Sequence, residues 1–201
     1  MTTSPVERLR RGVEEIKEII KKRKEAKKRA LEEHELEKAR LTEAKRGFWE
    51  REERFKDEKI RLGREVLRFF EELRREESFR ELLRIVAVEC SNKMVVFYRR
   101  DLESEAEVLE GLPRNRRIYE CFALDHEGRL IYFQNFEPRH FAEGLAAHQI
   151  RSRPLDYGGF ILKKPEDFTR LSYRSVSKFY EAIKSGRAVD ALIEEVKKCI
   201  R

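Results

Sequence analysis

The chain has 201 residues, 42% of them charged and 40% hydrophobic, with 46 Lys and Arg against 39 Asp and Glu. A net charge of +7 favours acidic partners such as nucleic acid or an acidic protein surface, while abundant periodic apolar residues argue against disorder. No apolar run is long enough to span a bilayer, and MTTSPVERLRRG lacks the apolar core of a signal peptide.

Three scattered cysteines, Cys90, Cys121 and Cys199, form no CxxC or metal-ligand rhythm and fit free thiols in a reducing compartment. The expectation is a soluble cytoplasmic protein with no membrane partner. Asn and Gln are scarce beside Glu, Lys and Arg, a thermophile-like composition.

In chain order, Ser4, Pro5 and Glu7 have the pattern of a capped helix start. No proline follows until well past Glu77, and the spacing predicts one helix over 5–77. Counting in sevens gives Val6, Val13, Ile20, Lys27, His34, Leu41, Phe48, Phe55, Leu62 and Phe69 without a phase slip. A strict seven-residue repeat held over that length implies a left-handed supercoil. The expected oligomer seam is therefore Val6, Val13, Ile20, Leu41, Phe48, Phe55, Leu62 and Phe69. Its companion positions run from Leu9 and Ile16 through Arg23, Ala30, Glu37, Ala44 and Arg51 to Val66 and Leu73, so the middle is poorly zipped. So long and polar a helix does not persist alone in water. It calls for self-association or another helical protein, and bulky Phe in the seam favours an antiparallel or mixed bundle. A hairpin broken at Gly47 is the alternative.

Residues 21–29, KKRKEAKKR, carry Lys21, Lys22, Arg23, Lys24, Lys27, Lys28 and Arg29. At 100° per residue these cations surround the helix, and Arg23 and Lys27 fall in the seam. They can form a phosphate-binding collar for DNA or RNA, or the solvated surface of a coiled coil. Parallel in-register copies would place Arg23 and Lys27 against their twins. An antiparallel copy or a different partner could bring them beside acids such as those of LEEHELE (31–37).

Ser78 and Glu81 suggest a second capping box, followed by a helix to Asn92. MVVFY (94–98) reads as a strand, and residues 101–110 as a short helix closed by Gly111. RIYECFALD (117–125), HEG and RLIYFQ (129–134) make a β-hairpin with apolar residues on both faces. A helix over 139–150, the loop SRPLDYGG, a strand FILKK and helices over 174–184 and 187–199 complete the chain. The fold class expected is α+β: a long N-terminal coiled-coil helix over 1–78 and a small, mainly antiparallel domain over 79–201.

No catalytic or metal site emerges, and no cofactor is implied. His140 and His148 stand eight apart, about 80° around a helix, and do not share a face as an i, i+4 zinc pair does. His126 falls in a turn and His34 in the seam. Asp125 ends a strand, but no Glu-x-Lys follows to hold magnesium, and Gly158–Gly159 is no P-loop. The C-terminal third interleaves Arg and Lys with Phe160, Phe168, Phe179 and Tyr180. That mixture suits either a single-stranded nucleic acid or a core with solvated cations outside it. The first reading is a non-enzymatic coiled-coil assembly protein whose α+β head binds a partner. The alternatives are a nucleic-acid-binding protein and an enzyme with an unrecognised site in the head.

Overall fold

The computed structural model describes the backbone of residues 5–102, 118–137 and 141–200, and the side chains of 13–102, 118–137 and 144–200. The architecture is α+β, a long N-terminal helix followed by a four-stranded antiparallel sheet with helices. The chain divides into two compact units, Met1–Arg46 and Gly47–Arg201. The expected cap at Ser4 and short helix over 101–110 fall largely outside the described residues.

Helix α1 runs from Pro5 to Glu53 and passes through Gly47 without a break. The helix expected to reach residue 77 instead stops at Glu53. Arg54 and Phe55 form a turn, with the Arg54 and Phe55 amides donating to the carbonyls of Arg51 and Glu52 at 3.2 and 3.0 Å. Helix α2 then spans Lys56–Arg75 and α3 spans Glu77–Glu89. Nothing in REERFKDE is a helix breaker; the break is tertiary. The Phe55 ring stacks on Tyr173, with centroids 4.5 Å apart, while Glu52 and Lys59 turn inward to the same region. At the start of α3 the extended cap residue is Glu76, with no side-chain cap bond, so the expected Ser78 capping box does not form.

Strands β1 (Met94–Asp101), β2 (Ile118–Asp125), β3 (Leu130–Phe136) and β4 (Phe160–Ile161) lie in chain order as an antiparallel meander. The β2–β3 hairpin turns through His126–Arg129, where Gly128 at φ +75° adopts the left-handed conformation that glycine tolerates. The Asp125 carboxylate accepts from the Glu127 and Arg129 amides and the Arg129 side chain. Between Val96 and Tyr98 the β1 register shifts. This bulge points both Phe97 and Tyr98 at the same helical layer.

That layer holds the main core. Leu62, Val66 and Phe70 of α2 and Phe79 and Val86 of α3 meet Val176 and Phe179 of α5 (Tyr173–Lys184), with Leu192 and Val196 of α6 (Arg187–Ile200). At its centre Phe179 stacks on Phe122 at 3.8 Å between centroids. The other sheet face carries Cys121, Ala123, Ile131 and Phe133, with Ile150 of α4 (Phe141–Ser152) packed against them. Both faces are thus covered, as the two-sided apolar strands require. The strand expected over 160–164 ends at Ile161. The reason is local: the amides of Lys163 and Lys164 donate to the Asp167 carboxylate at 2.8 and 3.0 Å. A 3₁₀ turn, Pro165–Arg170, follows at once.

Candidate functional site

The apolar residues of the N-terminal helices separate into two groups. In the Met1–Arg46 unit, Val13, Ile16, Ile20 and Leu31 are 41, 57, 48 and 58% exposed. On a helical wheel these four and Leu41 fall within an arc of about 80°. No described residue of the unit covers them. Val6 lies where side chains are not described. Within Gly47–Arg201, Leu62 is buried in the main core and Phe69 packs against it. Their partner is therefore the chain's own sheet domain, which corrects their assignment to an oligomer seam. Phe48 meets Trp49 edge-on at 5.3 Å, and Phe55 is held by Tyr173.

All seven cations of 21–29 are exposed. Among the described residues Lys28 has a carboxylate partner, Glu32 at 3.8 Å. A bridge that long on an open surface contributes little, so the run keeps its positive field.

The buried polar groups lie in the globular unit. Lys59, 2% exposed, donates to the Glu52 carboxylate at 3.1 Å and to the carbonyls of Thr169 and Leu171 at 3.2 and 3.1 Å. Glu52 also accepts the Tyr173 amide at 2.6 Å. These bonds fasten the start of α2 to the 3₁₀ turn and to the N-terminus of α5. Deeper in, Glu120 is fully buried and paired with Arg100, which also donates to Ser175 at 2.9 Å. Among the described residues the second oxygen of Glu120 has no hydrogen-bond partner. Burial, then the Glu120 charge, raises the Tyr132 hydroxyl above its ordinary value.

The residues considered for catalysis are scattered. Burial pushes the Cys121 thiol up to about 12. Cys90 is likewise pushed up to about 12, first by burial and then by the neighbouring Cys199 thiol. Neither supplies a thiolate at neutral pH. His126 contacts the Lys93 carbonyl and His148 contacts Ser152, each at 3.3 Å; His140 lies outside the described residues. Among the described residues no three His, Cys, Asp or Glu side chains gather as a metal site, and no helix is long and apolar enough to cross a membrane.

The interleaved aromatics of the C-terminal third are mostly interior. Phe168 and Phe179 are fully buried, and Tyr180 packs on the core. Phe160 is covered by the Arg170 guanidinium at 3.6 Å. They offer no open stacking platform for bases, so the core reading of these rings is the correct one. The cations remain outside. Lys163 and Lys164 face Arg64, Arg68 and Arg75 of α2 across an open groove of about 550 Å³. Sequence reading missed this groove because its walls lie about 90 residues apart in the chain and neither is notably basic by itself.

Compared with known proteins, the chain matches no family model, no curated protein and no solved structure.

Proposed function

We propose that the protein is a non-enzymatic assembly protein: α1 pairs with α1 of a second copy, antiparallel, and the Gly47–Arg201 unit is the head that recognises a partner. The observation that carries this reading is the exposed apolar stripe of Val13, Ile16, Ile20 and Leu31 on a helix with no cover among the described residues of its own unit. A polar helix of this length gains most of its stability by burying such a stripe.

The charges select the orientation. Parallel in-register copies stack Arg23 on Arg23 and Lys27 on Lys27. An antiparallel pair in which facing seam residues have numbers summing to 57 places Ile16 on Leu41, Val13 on Ala44 and Lys27 on Ala30. The same register sets 20–26, with four cations and one acid, opposite 31–37, with four acids. This alignment forms the Ile16–Leu41 and Val13–Ala44 layers and sets 20–26 against acids, while it leaves Ile20 on Glu37 and gathers Lys27, Lys28 and Arg29 of both copies about the dyad.

Ile16→Asp combined with Leu41→Asp tests the pairing by sedimentation equilibrium of the full chain. Each lost apolar side chain forfeits about 1.5–3 kcal/mol of burial. Four are lost per dimer, so the dissociation constant should rise by at least about four orders of magnitude. The wild type should sediment as a dimer and the variant as a monomer with its head still folded. An unchanged mass in the variant contradicts the pairing.

A further inference from the structure

We infer that the groove between α2 and residues 163–165 is a second, independent binding site, and that it takes the phosphodiester backbone of a nucleic acid. The groove is lined by five cations, Arg64, Arg68, Arg75, Lys163 and Lys164, against two carboxylates, Glu71 and Glu72. Among the described residues Arg68 alone of the five has a carboxylate partner, Glu72 at 3.2 Å, and both members of that pair are well exposed. Such a surface pair is worth a fraction of a kcal/mol, so Arg68 exchanges its partner for a phosphate at little cost.

The shape of the array selects the ligand class. Arg64, Arg68 and Arg75 fall within an arc of about 40° on α2 and rise by about 6 and then about 10 Å along it. This is a row of charges about 16 Å long, which does not converge on one point as a site for a single phosphate or carboxylate would. A linear polyanion with a charge every few ångströms matches it. Among the described residues no exposed aromatic ring lines the groove, so the contact reads backbone without bases.

The two walls are joined firmly. Gly63, beside Arg64, lies so close to Phe168 that an added Cβ would stand 2.5 Å from the ring, and Lys59 binds the carbonyls of Thr169 and Leu171. The Lys163–Lys164 backbone is fixed by Asp167. The backbones that carry the cations are therefore held in register before any ligand arrives, which lowers the ordering cost of binding. The site is distinct from residues 21–29 and does not depend on the pairing of α1.

The test is fluorescence anisotropy of a labelled 20-base-pair DNA with the full chain, from about 50 to about 200 mM salt. Each phosphate contact contributes about −0.9 to the slope of log K against log salt. The variant Arg64→Gln/Lys163→Gln/Lys164→Gln should flatten the slope by about 2.7 and weaken binding at least tenfold at the lower salt. Glutamine keeps the bulk, and circular dichroism checks the fold. A second variant, Lys21, Lys22, Lys24, Lys27 and Lys28 to Glu, should retain a slope that the groove substitutions still flatten. An unchanged slope in the groove variant overturns the inference, as does the absence of wild-type binding at the lower salt. Equal competition by polyglutamate of matched charge also overturns it, since the groove would then recognise acidic peptides.

Discussion

At position 59 an ammonium group sits in the protein interior with each of its three protons donated, one to Glu52 and two to backbone carbonyls. A lysine buried without such partners would be expelled or neutralised. Here the pair closes the junction between α1, α2 and the turn before α5. Removing one member strands the other charge, a loss of about 3–5 kcal/mol. Lys59→Ala should therefore lower the unfolding free energy of the globular unit by that amount in urea titration; a loss under about 1 kcal/mol would mean that water satisfies Glu52. Sequence reading had no means of finding this residue. Lys59 lies in the charged stretch KDEKIRLGRE, and its acceptors stand more than a hundred residues away. Glu120 was equally hidden, a single acid between apolar neighbours in a strand, and its burial follows from Arg100 standing opposite it in the register.

At the scale of elements, most of the architecture could be read from periodicity. The β2–β3 hairpin, α4 and the two closing helices occur within a residue or two of where the patterns place them. The error was the extension of the heptad count past Phe55. Over two or three heptads a 3.5-residue repeat cannot be told from the 3.6-residue stripe of a helix packed on a sheet. Leu62, Val66 and Phe69 fit both, and the core of the globular unit is what they meet. One residue of α2 did carry a usable signal. Gly63 interrupts an otherwise good helix former, at a cost of about 1 kcal/mol relative to Ala, and the reason is the Phe168 ring pressed against its Cα. Two effects oppose each other in Gly63→Ala: the propensity gain of about 1 kcal/mol, and an overpacking loss of about 1–3 kcal/mol. Phe168 is fully buried and has nowhere to retreat, so overpacking wins. Thermal unfolding should show a lower midpoint; a higher one would mean that the helix slides off the ring.

At the scale of the molecule, the two compact units spend their hydrophobic residues differently. Gly47–Arg201 closes its own core around Phe122 and Phe179. The described part of Met1–Arg46 leaves Val13, Ile16, Ile20 and Leu31 to water. The basic run was legible as a run but its role was not, because charge on a helix acquires meaning only from what faces it. In the proposed antiparallel register 21–26 face 31–36 of the second copy, while Lys27, Lys28 and Arg29 meet 28–30.

Cross-linking tests the orientation of that pair most directly. In a Cys199→Ser background, chains carrying Val13→Cys are mixed with chains carrying Ala44→Cys and oxidised gently, beside each variant alone. Antiparallel pairing predicts a disulfide-linked dimer in the mixture and none from Val13→Cys by itself. A dimer from Val13→Cys alone, with none added by the mixture, would contradict it and place the two helices parallel.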